Sequence, residues 1–451
     1  MAIRFYNTLT RKKDDFKPII GGQVSMYVCG VTVYDYCHMG HARAYVAFDS
    51  IRRYLEYAGF KVKYVQNFTD IDDKIINRSN ENGIKWQALV EANVSSYFED
   101  MDRLNIMRAS SYPRATDHIG EMVSLIAALV EKKIAYETDG DVCFSVEAYE
   151  KYGQLSRKVL EDLIAGARVE VSHKKRNDLD FVLWKKSKEG EPFWESPWGK
   201  GRPGWHIECS AMAIKELGET IDIHGGGADL IFPHHENEIA QSECVTGKQF
   251  ANYWVHNGFV SIDHEKMSKS KKNVFNIRDI LAEYDGEVVR FYLQKVHYKA
   301  PLHFSLEGLQ EAKQAYTRLI MTLKNYPEPK AALSSEQTAI LTGFRDRFKA
   351  MMDDDCNTAG AIGVLFDLIK HIHLHAFGSS FLMEFGQVLG LFQSLDAKDD
   401  LSPEATALIA ARSQARIDKD YAKSDEIRDC LLKEHKIIVE DVGKEVRWRR
   451  A

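Results

Sequence analysis

A strand, a polar turn, a helix and a second strand fill residues 24–68, and this unit restricts the fold more than any other stretch. The first strand reads Val24-Ser25-Met26-Tyr27-Val28-Cys29. The helix runs from about Ala42 to Ala58: Tyr45, Phe48, Ile51 and Leu55 recur at helical spacing, and Gly59 stops it. Lys61 to Phe68 supplies the second strand. Two strands joined by a crossover helix run parallel, and a parallel sheet needs both faces covered. The alternation resumes later with helix His206–Leu217, strand Ile221–His224, helix Pro233–Val245 and strand Tyr253–Val260.

Between these halves, residues 110–204 read as mixed and end in EGEPFWESPWGKGRPGW, which marks an insertion into one sheet domain. After Val274 the pattern turns helical, with amphipathic stretches Leu306–Asn325 and Ser335–Leu395. KIIVEDV and EVRWRR close the chain as short strands. The expected class is α/β: a parallel-sheet domain split by an insertion, then a helical bundle and a small C-terminal module.

A length of 451 residues suits several domains. No apolar run approaches the ~20 residues of a membrane span. MAIRFYNTLTRKKDD lacks an apolar leader, so a cytoplasmic monomer is expected. Seven cysteines leave one unpaired, which argues for packing residues, nucleophiles or metal ligands rather than a disulfide framework. The net charge of −6 excludes a basic coat, yet Lys266 to Lys272 and Arg447-Trp448-Arg449-Arg450 are local patches suited to phosphate.

Cys37-His38-Met39-Gly40-His41-Ala42-Arg43 follows the first strand and enters the helix. Ligands of α/β sheets sit at the carboxyl ends of strands, a glycine admits close approach, and a helix N-terminus favours anions. Lys266-Met267-Ser268-Lys269-Ser270 lies in a polar loop after another strand, where two lysines can follow a polyphosphate during reaction. Alone, the first is an ordinary helix entry and the second a solvated surface. Together, in this order, they resemble the HIGH and KMSKS signatures of class I aminoacyl-tRNA synthetases; here the first reads HMGH, and KMSKS is matched in full. The resemblance implies a Rossmann-type catalytic domain in which His38 and His41 contact ATP phosphates and Lys266 and Lys269 stabilise the transition state, with Mg2+ accompanying ATP.

His234 and Glu238 of HHENE are four residues apart on an expected helix and project from one face. Cys29 ends the first strand, and Cys209 sits early in the helix after the insertion. Strand ends and helix starts converge on one sheet edge, so these four can surround one ion, and two thiolates with an imidazole favour zinc. Each taken singly is as well explained by packing or an exposed polar helix. His235, directed about 100° away around the helix, and Cys37 remain rival ligands on this reading.

CGVTVYD, GRPGWHIECSAM and IHGGGADLIFPHHENE, with QNFTDIDDKII and DFVLWK, are similar to the zinc-site segments of cysteinyl-tRNA synthetases. The resemblance covers essentially the whole chain and is dense from Phe5 to about Asn276. Cys356 and Ala359 depart from it, standing where the family usually has Phe and Pro. The resemblance implies one zinc on Cys29, Cys209, His234 and Glu238; a cysteine pocket of Thr69, Trp205, His224 and Asp229; and ATP contacts from Gly30, His38, Gly40, His41, Gly226 and Lys269. ATP, L-cysteine and tRNA(Cys) are the expected partners, with Arg447, Trp448 and Arg449 touching RNA. The implied layout is catalytic halves at 1–109 and 205–260, an insertion at 110–204, the KMSKS region at 261–305, an anticodon-binding bundle at 306–400 and a terminal module at 401–451. The rival expectations are a same-fold ligase joining cysteine to an amino sugar, and a non-catalytic tRNA-binding relative.

Overall fold

The structure, a computed structural model, describes residues 2–157, 175–262, 265–266, 275–395, 402–435, 437–442 and 445–450. Residues 1–392 form one compact unit and residues 393–451 a second.

Four parallel strands centre the first unit in the order Ala251–Asn257, Ile221–Gly227, Gln23–Thr32, Lys61–Thr69. In this order the two crossover connections leave the middle of the sheet in opposite directions, which opens a crevice at the carboxyl ends of Gln23–Thr32 and Ile221–Gly227. Met26, Tyr27 and Val28 are fully buried because helices cover both faces. At Gly30 the strand passes so near its neighbour that a Cβ would stand 1.6 Å from the Asn67 carbonyl oxygen, so only glycine fits.

The insertion contains helix Ile119–Glu131 and a four-stranded antiparallel sheet of Ala135–Thr138, Asp141–Phe144, Phe181–Lys186 and Gly201–Pro203. Its entry still belongs to the parallel sheet: Ser111 and Pro113 carbonyls accept from Gln66 and Phe68 amides. Helix Leu306–Asn325 has the expected bounds. The expected single stretch 335–395 is instead three helices, Ser335–Asp353, Thr358–His375 and Ser379–Val388. Asp355 and Cys356 adopt left-handed φ of 64° and 48°, and Gly378 one of 107°, so the chain turns where periodicity alone continued.

One buried charge hub joins these parts. Asp49, in helix Met39–Tyr57, pairs with fully buried Arg290 and with Arg53, and accepts from the Met107 amide. Arg290 also donates to the carbonyls of Leu389, Leu104 and Asn105. Burial alone would raise the pKa of Asp49, but the charges of Arg290 and Arg53 outweigh it and hold it below the usual carboxylate value. Stability from this group is therefore present above its unfolded pKa and fades as pH falls through the lowered folded value.

The second unit packs helices Pro403–Ile417 and Tyr421–His435 on a hairpin of Ile437–Val442 and Glu445–Arg450, with Ala405, Ile427, Leu431, Ile437 and Val439 as its core. Among the described residues no helix is long and apolar enough to cross a membrane. Arg290→Met leaves Asp49 buried beside a lost partner and should cost about 3–5 kcal/mol of unfolding free energy, read from urea unfolding at neutral pH.

Candidate functional site

The crevice between strands Gln23–Thr32 and Ile221–Gly227 gathers donors from four segments. Cys29 comes from the first strand and Cys209 from helix Trp205–Leu217, with Sγ atoms 3.9 Å apart. Glu238 Oε1 lies 3.4 Å from Cys29 Sγ and 3.0 Å from His234 Nε2. Cys29, Cys209, His234 and Glu238 are all buried, and one donor atom of each lies within 4.8 Å of the others. A tetrahedral ion with bonds of about 2.0–2.3 Å spaces its donors about 3.3–3.8 Å apart, which these separations match within a few tenths of an ångström. The cluster therefore fits one metal ion.

The local backbone differs from the expected helix. His234 lies in a wide turn, Ile231–His235, in which Phe232 is extended (φ −140°, ψ 131°), and the regular helix starts only at Glu236. His235 also reaches the cluster, as the i,i+3 neighbour of Glu238: its Nε2 is 3.3 Å from Cys29 Sγ and 3.9 Å from Glu238 Oε1. Cys29, His224, His235 and Glu238 form a second compact grouping that shares two residues with the first. Two thiolates belong only to the first grouping, and a softer donor set holds a borderline ion better.

Other histidines hold the donors in place. His206 Nδ1 is 2.9 Å from His234 Nδ1, and His224 Nε2 is 2.8 Å from Glu238 Oε2. His235 Nδ1 contacts His256 Nε2 at 2.8 Å, and His256 Nδ1 meets the Thr8 hydroxyl at 2.8 Å. Such outer contacts orient ligands and fix tautomers. The hydrogen bond from Cys29 brings the Cys209 thiol down to about 6, against the effect of burial. Burial, then the neighbouring Cys209 and Glu238, push Cys29 well up. Burial disfavours the charged form of His234, yet Glu238 and Cys209 outweigh it and raise His234 to about 10. Burial lowers His235 and His206, and takes His256 to about 3, so these three are neutral supports.

A cavity of about 310 Å³ opens beside the cluster. Cys29, Gly30 and Thr32 line it from one strand, Gly226 and Gly227 from another, and His38, Gly40 and His41 from the helix entry. The HMGH segment is itself a cap. His38 accepts from the His41 amide at 3.3 Å, His41 accepts from the His38 amide at 3.1 Å, and their rings stack 3.7 Å apart. This reciprocal cap starts the helix at Met39, three residues before the apolar periodicity begins, and aims the positive helix end at the cavity.

The expected site residues separate into groups. Trp205 lines the cavity and stacks on His234 with centroids 4.1 Å apart; Asp229 lines it too. Thr69 and His224 are buried and absent from its lining; His224 supports Glu238 instead. Lys266 sits in a two-residue strand paired with Ser261, and Lys269 lies outside the described residues. Arg447, Trp448 and Arg449 lie on the last hairpin strand, with Trp448 opposite Val439. The sequence reading missed Asn67, His206, Glu208 and His256. Asn67 lies two residues before Thr69 on one strand face, and Glu208 directly precedes Cys209, which were the available signals. Burial, then the charge of Cys209, raises Glu208 well above the usual carboxyl value.

The chain is similar to known proteins over nearly its whole length. Residues 15–314 match the family model for the catalytic domain of tRNA synthetases class I (C), residues 347–393 a DALR domain, and residues 398–449 a cysteinyl-tRNA ligase anticodon binding domain. The chain is 49% identical to a cysteine–tRNA ligase of Thermodesulfovibrio yellowstonii, covering 99% of each, and 50% identical to one of Carboxydothermus hydrogenoformans, covering 99% of this chain and all of that one. In fold it is similar to a Mycobacterium tuberculosis methionyl-tRNA synthetase in complex with methionyl-adenylate (TM-score 0.57, 17% identity, 81% of this chain and 88% of that one). A leucyl enzyme of Agrobacterium radiobacter, in a ternary complex with tRNA, gives a TM-score of 0.58 at 11% identity, covering 83% of each.

His206→Phe keeps the ring packed against Phe181 and Trp205 and removes the nitrogen that supports His234. It should weaken metal retention by about 10–100-fold in chelator competition, while leaving the unfolding midpoint of metal-loaded protein nearly unchanged.

Proposed function

We propose, for a chain that belongs to the cysteine–tRNA ligase family, that it activates L-cysteine with ATP and transfers the cysteine to the terminal ribose of tRNA(Cys). The observation that carries this reading is that Cys29 of the metal-binding cluster and the paired histidines His38 and His41 line one cavity. Amino-acid recognition and phosphate handling are then adjacent, as adenylate formation requires.

The cysteine carboxylate attacks the α-phosphorus and pyrophosphate leaves. A carboxylate is already ionised at neutral pH, so no general base is needed and the residues act by alignment and charge. His38 and His41, at the helix N-terminus, hold the ATP phosphates, and Gly30, Gly40 and Gly226 let the nucleotide approach the backbone. Lys266 and Lys269 meet the charge that develops at the α-phosphate. ATP enters with Mg2+ as its counter-ion. A zinc ion on Cys29, Cys209, His234 and Glu238 would supply a partner for the substrate thiolate, which serine, with its far higher hydroxyl pKa, does not match. Trp205 and Asp229 line the cysteine pocket around it, with Thr69 at its border and His224 acting from behind through Glu238. The bundle and the terminal module, including Arg447, Trp448 and Arg449, take the anticodon end of the RNA, and the protein works as a cytoplasmic monomer.

The amino-sugar ligase has no use for an anticodon module, and the match at 398–449 weighs against it. A non-catalytic relative is disfavoured by the intact HMGH and KMSKS segments. Charging assays offering tRNA and an amino sugar side by side decide among these readings.

Lys269→Ala should slow cysteine-dependent ATP–pyrophosphate exchange by about 10²–10³-fold with metal content unchanged; near-normal exchange removes Lys269 from the reaction. In cobalt-substituted protein, cysteine should add a sulfur-to-metal charge-transfer band that serine does not; equal spectra refute selection at the metal.

A further inference from the structure

Beside the metal donors runs a hydrogen-bond chain, and its first member sets the orientation of Asn67. The Gly30 amide donates to Asn67 Oδ1 at 2.8 Å. A backbone N–H can only donate, so the amide oxygen of Asn67 faces it and the Nδ2 group faces away. Nδ2 points to the Thr69 hydroxyl at 3.5 Å, and that hydroxyl donates to Glu208 Oε2 at 2.9 Å. Asn67, Thr69 and Glu208 are 1%, 2% and 1% exposed. Among the described residues, Thr69 is the one side-chain hydrogen-bond partner of the Glu208 carboxyl.

The chain borders the site on both sides. Gly30 and Thr32 line the cavity, and Thr69 is the register partner of Thr32 on the next strand. Cys209 Sγ stands 3.7 Å from Asn67 Oδ1, and Glu208 precedes Cys209 on the same helix. A threonine hydroxyl has one proton. With that proton committed to Glu208, Thr69 offers any ligand a lone pair and nothing else.

Cysteine brings three polar groups to the proposed site. The thiol is taken by the metal and the carboxylate must remain free to attack phosphorus; only the ammonium donates hydrogen bonds. We propose that Glu208 is a positioning residue of the amino-acid site: it holds the hydroxyl proton of Thr69, so that Thr69 accepts from the α-ammonium of the substrate. Glu208 acts through Thr69 and needs only an acceptor oxygen, which carboxyl and carboxylate both possess. The inference rests on the reading that Thr69 borders the bound cysteine.

The test compares cysteine with 3-mercaptopropionate, which keeps the thiol and carboxylate and lacks the ammonium. KM for cysteine in pyrophosphate exchange and the inhibition constant of 3-mercaptopropionate are measured on zinc-loaded wild type, Glu208→Ala, Glu208→Gln, Thr69→Val and the Thr69→Val/Glu208→Ala double variant. Glu208→Ala and Thr69→Val should each raise KM for cysteine by about tenfold or more, while the inhibition constant stays within about twofold. Glu208→Gln, which retains an acceptor oxygen, should stay within about threefold on both counts, and the double variant should be no worse than Thr69→Val alone. Equal weakening of the two ligands, additive losses in the double variant, or unchanged KM in Glu208→Ala overturns the assignment. Should Glu208→Ala not fold, the near-isosteric Glu208→Met, which also lacks an acceptor oxygen, carries the same comparisons alone and with Thr69→Val. Absence of exchange in wild type sinks the ligase reading itself; exchange in wild type with equal weakening of both ligands sinks only the role of Glu208.

Discussion

Two thiols, a carboxylate and an imidazole are confined at one point of this core, with Cys29 6% exposed and Cys209, His234 and Glu238 at 1% or less. Buried polar and ionisable groups persist only when paired, hydrogen-bonded or bound to metal. The surrounding structure follows from that requirement. His206 steadies His234, His224 bonds Glu238, and the His235–His256–Thr8 relay fills the space behind Cys29. The cluster is therefore an electrostatic unit, in which the state of each donor depends on its neighbours.

Strand order brings the unit together. Gln23–Thr32 and Ile221–Gly227 lie side by side although the whole insertion separates them in the chain. Their carboxyl ends bound the crevice where an open α/β sheet binds ligands. The same edge receives the helix entry with its reciprocal histidine cap, so the positive end of that helix and Cys29 of the donor cluster face a common cavity. The Asp49–Arg290 hub anchors the middle of this helix to the loop at Leu104 and to the chain beyond Val388. The helix that presents the histidines is thus fixed at its start and at its middle.

Local pattern was informative wherever side chains answered to their own element. The βαβ unit, the helix Leu306–Asn325 and the terminal hairpin follow from periodicity and turn residues. Periodicity failed between 335 and 395, because the left-handed residues Asp355, Cys356 and Gly378 interrupt a hydrophobic pattern that reads on without a break. It failed again at His235, because His235 and His234 stand three and four residues from Glu238, so both reach its side of the helix although they are about 100° apart.

The amino-acid sequence by itself determined the βαβ unit, the helix Leu306–Asn325, the terminal hairpin and the pairing of His234 with Glu238, since each depends on residues within a few positions along the chain. Only the tertiary structure decided that Cys29 meets Cys209 across 180 residues, that His235 joins them, and that Asn67, Thr69 and Glu208 form one directed chain. Those contacts depend on which strands become neighbours and on where backbones close to van der Waals distance, and neither is encoded in spacing along the chain.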